Sequence, residues 1–163
     1  MTTAASQKNS NVVPLRPSKA SRNSEKKWGA AVMQLGFSII PSLLLRAQQR
    51  LGLNPTQLAV LLQLADYWWD QDRKPYPSKQ ALAERLGLST RQVQRHIADL
   101  EAAGLVKRIE RRAAHRGKLT NEYDLTGLVE RLKKLEPEFR EIEDLRKQVS
   151  RRGGLKARKP AEE

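Results

Sequence analysis

Residues 78–105, SKQALAERLGLSTRQVQRHIADLEAAGL, constrain the fold more than any other stretch of the chain. Ser78 is a strong helix N-cap, because its hydroxyl can accept from the orphan N–H groups of a first turn. Ala81, Leu82, Ala83 and Leu86 then form a small apolar stripe at helical spacing. Gly87 follows, where a left-handed C-cap costs little. Leu88 plugs the corner. Ser89 caps a second helix, with Gln92 at capping-box spacing. In that helix Val93, Ile97 and Leu100 recur at i, i+4 and i+7 as one buried face, and Gly104 ends it. Two short capped helices joined by a glycine turn are therefore predicted.

The opposite face of the second helix carries chemistry. At about 100° per residue, Arg91, Gln94, Arg95 and Ala98 point away from Val93 and Ile97. Arg can bond guanine O6 and N7 as a bidentate pair, and Gln can do the same with adenine N6 and N7. Ser89, Thr90 and Gln92 sit at the N-terminal flank. Exposed N–H groups and the helix dipole there favour a phosphate. Ala98 is small enough for a groove wall to approach. The bland alternative is a solvated helix face.

A basic hairpin comes next. Residues 105–112 have strand character, with Val106 and Ile109 as inward anchors. Residues 119–125 alternate Leu119, Asn121, Tyr123 and Leu125 against Thr120, Glu122 and Asp124, a period of two. Between them, residues 113–118 read as a loop. From Lys107 to Lys118 there are six Lys or Arg against one Glu. Arg111, Arg112, Arg116 and Lys118 are candidate contacts to the sugar–phosphate backbone or a minor groove. Taken alone, such a hairpin is more often a solubilising surface feature. Directly after a reading helix, the binding role is preferred.

With these parts in this order, residues 41–125 resemble the winged helix-turn-helix domains of bacterial, plasmid and phage regulators and of replication-initiator proteins. The resemblance rests on PSKQALAERLGLSTRQVQRHIADLEAAGLVKR and GKLTNEYDL. It implies a mainly α fold with a small β-hairpin. It also implies that the helix at 89–103 enters the major groove while the hairpin contacts the backbone. Thr90, Arg91, Gln92, Gln94 and Arg95 become candidate readers of double-stranded DNA, and Arg111, Arg116 and Lys118 candidate wing contacts. The expected function is sequence-specific DNA binding, with repressor-type transcriptional control on a mobile element as the leading role. A replication or partition factor at an origin or centromere-like site is the alternative. A protein-interaction adaptor is a third reading, which Arg91 and Arg95 disfavour.

The remaining sequence fits this assignment. Net charge is +13 over 163 residues, and a polyanionic partner is the simplest reason for it. Cysteine is absent, which removes disulfides and thiolate metal sites and accords with a cytoplasmic, nucleoid-associated protein. No apolar run approaches the ~20 residues of a membrane span, so no membrane partner is expected. Only two histidines occur, His96 and His115, and neither has a ligand partner at metal-binding spacing. No phosphate-cradling glycine loop appears. No catalytic residue, metal or cofactor is therefore assigned, and the chain is read as not an enzyme.

Four segments are expected. Residues 1–27 are polar and basic, too poor in apolar groups to offset ordering entropy, and are read as a disordered arm. Residues 37–125 form the domain. Within it, 37–40 read as a strand or extended lead-in and 42–51 as helix, with Leu43, Leu44 and Leu45 partly buried. A further helix is capped by Asn54-Pro55-Thr56-Gln57. Its core stripe is Leu58, Leu61, Leu62, Ala65 and Trp69. Residues 126–151 carry a heptad-like set, Leu128, Leu132, Leu135, Phe139 and Ile142. Pro137 interrupts it, so two helices, 126–135 and 137–151, are predicted. They serve either a homodimer seam or packing back onto the domain. Residues 152–163 are read as a flexible basic tail.

Overall fold

In the computed structural model, residues 19–113 and 117–151 are described, and the chain divides after Phe37 into two units. The first unit holds α1 (Lys19–Trp28) and α2 (Ala30–Gln34), separated by Gly29 at φ +90°. The expected disordered arm is thus corrected from Lys19 onward. Glu25, Lys26 and Lys27 are favourable helix formers, and a shortage of apolar residues limits burial rather than local helix formation. Residues 1–18 of the arm and the tail at 152–163 lie outside the described residues.

The second unit opens with α3 (Ser42–Arg46), a single turn that stops short of the expected Leu51. Turns carry the chain from there to Gly52, whose φ of +68° favours a residue without a Cβ. Leu44, Ala47 and Leu51 are buried, whereas Leu45 is exposed. Phe37–Ile40 forms no strand, and only Ile40 packs on the core. Next comes α4 (Pro55–Asp66), opened by a complete capping box. Gln57 N donates to Asn54 Oδ1 at 2.8 Å and Asn54 N donates to Gln57 Oε1 at 3.1 Å. Its buried residues are Val60, Leu61 and Leu64, while Leu58 and Leu62 pack at the margin. Trp69 does not belong to the stripe: it lies beyond the helix end and is 67% exposed, while Trp68 packs against the core.

The two predicted capped helices follow, as α5 (Lys79–Leu86) and α6 (Thr90–Ala102). Gly87 makes the left-handed turn between them at φ +64°. Leu82 and Ala83 of α5 and Val93, Ile97 and Leu100 of α6 are buried together in the core that α4 closes. Arg85 fixes α5 to the end of α4. Its guanidinium bonds Asp66 at 2.8 Å and Gln63 at 3.1 Å and lies 4.6 Å from the Tyr67 ring centroid. Ser38 also donates to Asp66, and these bonds hold the Asp66 carboxyl below the usual range.

The hairpin consists of two ladders in series. β1 (Lys107–Ile109) pairs antiparallel with β4 (Glu122–Asp124), in the register Lys107 to Asp124 and Ile109 to Glu122. β2 (Arg112–Ala113) pairs with β3 (Gly117–Lys118) nearer the tip. Pairing therefore extends into the segment expected as loop. Between the ladders, Glu110 and Arg111 oppose Leu119, Thr120 and Asn121, so one strand carries an extra residue, as in a β-bulge. Asn121, Tyr123 and Leu125 point inward, as the alternation predicts, but Leu119 is exposed. Tyr123 N donates to Pro75 O at 2.8 Å and so ties β4 to the loop before α5.

Residues 126–151 form one helix, α7 (Thr126–Arg151), with Pro137 inside it, not the two helices expected. A proline there removes one backbone hydrogen bond and crowds the preceding turn. Packing on both sides of it overrides that penalty. Leu132, Leu135 and Phe139 lie against the core. Arg50 grips Glu138 with both terminal guanidinium nitrogens, at 2.5 and 2.9 Å. Arg46 reaches Glu143 at 3.6 Å and stands 5.5 Å from the Phe139 ring centroid. At its start, α7 touches the exit of α6: a Cβ on Gly127 would collide with the Gly104 carbonyl oxygen, and Leu128 N donates to Leu105 O at 3.0 Å.

Candidate nucleic-acid interface

Local sequence fixes the start of α6. Ser89 Oγ accepts from Gln92 N at 3.2 Å, and Gln92 Oε1 accepts from Ser89 N and from Ser89 Oγ, both at 2.9 Å. This reciprocal cap satisfies two first-turn donors. Among the described residues it leaves the N–H groups of Thr90 and Arg91 unpaired and facing outward. Such donors at a helix N-terminus are suited to an anion. The cap also commits the Gln92 carbonyl, so only its amide N–H groups remain for a ligand.

Burial of Val93, Ile97 and Leu100 turns the opposite face of α6 to solvent. Ser89, Arg91, Gln92, Gln94, Arg95 and Ala98 line one surface depression of ≈ 640 Å³. The predicted reading residues are thereby brought together, except for Thr90, which is exposed on the flank. Six described guanidiniums of this unit, Arg46, Arg50, Arg85, Arg108, Arg111 and Arg140, form ion pairs with carboxylates, and the other six do not. Arg91 and Arg95 are two of the unpaired six among the described residues, and they line the same depression on α6. Two adjacent fork-shaped donors therefore stand over a groove with no internal anion to occupy them, and bidentate recognition of an external acceptor is what they can do. His96 is 9% exposed and lies on the buried side, so it takes no part in this face.

The hairpin residues divide differently. Arg111 is half occupied by the protein itself, 3.4 Å from Glu122 and 5.3 Å from the Tyr76 ring centroid. Arg112 and Lys118 are register partners in the outer ladder. Arg116 lies outside the described residues. Sequence reading missed the aromatic and cationic cluster at residues 67–77. Its signal was present in the interleaving of Tyr67, Trp68, Trp69, Arg73, Lys74 and Tyr76, of which only Trp69 was assigned, to the expected core. No group of acidic, His or Cys residues that could hold a metal occurs among the described residues, and no described helix is long and apolar enough to cross a membrane.

Residues 51–106 match a family model described as a helix-turn-helix domain. A domain of that kind supports DNA binding. No curated protein matches. Among solved structures, the chain is similar to the N-terminal domain of DnaD protein from Geobacillus kaustophilus HTA426, at 25% identity and a TM-score of 0.47, over 79% of this chain and 97% of that one. It is also similar to a possible transcriptional regulator from Methanosarcina mazei Go1, at 18% identity and a TM-score of 0.40, over 64% of this chain and 82% of that one.

Proposed function

From the helix-turn-helix domain matched over residues 51–106 and the hairpin that follows it, we propose that this chain is a sequence-specific reader of double-stranded DNA that represses transcription by occluding a site on a mobile element. The observation that carries the reading is the exposed row of Arg91, Gln94 and Arg95 on α6, with no internal partner for either guanidinium among the described residues. In this proposal α6 lies in the major groove. Arg91 and Arg95 bond base edges, Gln94 adds a bidentate amide, and Ser89, Thr90 and Gln92 sit at a phosphate. Arg111, Arg112, Arg116 and Lys118 hold the backbone through the wing. The protein acts as a homodimer in the cytoplasm, at the nucleoid, as a binding protein and not an enzyme.

Selection of a preferred duplex from a random library, followed by titration of variants on it, tests this. Arg91→Ala and Arg95→Ala should each lose ~1–3 kcal/mol of binding and relax preference at particular base pairs. Wing substitutions should weaken all duplexes alike and lower the salt slope by about 1 per lost phosphate contact. Unchanged binding by both α6 variants refutes the reading-helix assignment.

The distal half of α7 favours a second reading, a replication or partition factor. It projects Ile142, Leu145 and Val149 into solvent, a handle through which DNA-bound protein could recruit machinery. Footprinting on genomic DNA separates the two roles: a promoter-overlapping site supports repression, and tandem origin-like repeats support the alternative.

A further inference from the structure

The loop between α4 and α5 builds a second pocket that duplex reading by α6 does not use. Tyr67, Trp69, Tyr76 and Pro77 wall a depression of ≈ 410 Å³, with Arg73 and Lys74 at its edge. The size falls in the range of about 300–1,000 Å³ typical of small-molecule sites. Trp69 is 67% exposed and Tyr76 41%, so much aromatic surface lies outside the core here.

The charges around these faces are unequal. Lys74 is neutralised by Asp124 at 3.0 Å. Asp70, also on the rim, accepts from Asp72 N–H at 3.2 Å within its own turn. Arg73 donates to the Tyr76 hydroxyl at 2.8 Å and lies 5.4 Å from that ring's centroid. It has no carboxylate partner among the described residues. Arg111 of the wing approaches the same ring, which places the pocket at the base of the wing. Of the two cations at the edge only Arg73 lacks a carboxylate partner among the described residues, and aromatic surface beside its guanidinium suits a ligand that is planar and aromatic at one end and anionic at the other.

We propose that this pocket binds a nucleotide, with the base stacked on Trp69 and Tyr76 and the phosphate bonded by Arg73. Free mononucleotide and one unit of a single strand share that chemistry. The site is separate from the α6 face and does not depend on the duplex reading.

The test uses the full chain and three probes: deoxyadenosine monophosphate by calorimetry, a labelled oligodeoxyadenylate by anisotropy, and the selected duplex as control. At least one of the first two should bind, with Trp69→Ala and Arg73→Ala each weakening it about tenfold or more and changing duplex affinity by less than about twofold. Binding of the monophosphate identifies a free nucleotide as ligand, and binding of the oligonucleotide alone identifies a strand. Thermal unfolding of both variants should match the parent, since both side chains lie at the surface. Failure of both probes to bind, wild-type binding by both variants, or an equal loss on the duplex overturns the proposal.

Discussion

Gly127 and Asp124 show how single residues hold the domain. Gly127 occupies a helix, where alanine is ordinarily better by about 1 kcal/mol. Here a methyl group would meet the Gly104 carbonyl oxygen, which belongs to backbone and has no rotamer to yield. Gly127→Ala should therefore destabilise the protein by about 1–3 kcal/mol in urea unfolding, against its helix propensity. Asp124 accepts from Thr126 Oγ1 at 2.5 Å and Thr126 N at 2.9 Å and pairs with Lys74. The Thr126 bonds, then Lys74, hold its carboxyl at about 2 against an ordinary 3.8. A depressed acid stabilises the fold above its unfolded pKa and loses that contribution as pH falls through its folded one. The stability gap between the parent and Asp124→Asn should be about 1 kcal/mol near neutrality, allowing for solvent screening, and should close between about pH 4 and pH 2. Gly104 was legible as a helix stop from local sequence alone. Gly127 was not, because its reason is a contact made from far along the chain.

Elements were legible where their signal is local. The capping boxes at Asn54–Gln57 and Ser89–Gln92 formed as read, because each needs only four consecutive residues. The α6 buried face followed from period alone. The α4 stripe was drawn too wide at its end, since Trp69 continues the helical spacing but lies past the last turn. Helix α7 was read as two because proline's local penalty was weighed without the long-range grip of Arg46 and Arg50. That penalty still exists. Pro137 is exposed, and Pro137→Ala restores a backbone N–H without altering the core. The substitution should raise stability by roughly 1–3 kcal/mol, seen as a higher melting temperature. An unchanged or lower melting temperature means that proline shapes the α3–α7 contact.

For the whole molecule, the proximal and distal halves of α7 have different tasks. Leu128 is buried and Leu132, Leu135 and Phe139 cover the core, so removing the helix at Leu125 would expose that core rather than test assembly. The distal half leaves Ile142, Leu145 and Val149 exposed at spacings of three and four. If the homodimer proposal holds, Leu145→Glu combined with Val149→Glu should convert a dimer to a folded monomer in sedimentation. A parent chain that already sediments as a monomer refutes it. None of this was decidable from heptad spacing, because both halves continue one run of apolar residues at spacings of three and four and only the position of α3 tells them apart. The Gly104–Gly127 contact has a mechanical consequence. The exit of α6 and the start of α7 abut backbone to backbone, at two glycines that put no side chain between them. A force applied to the far end of α7 would therefore be passed to the exit of α6 through backbone, at Gly104.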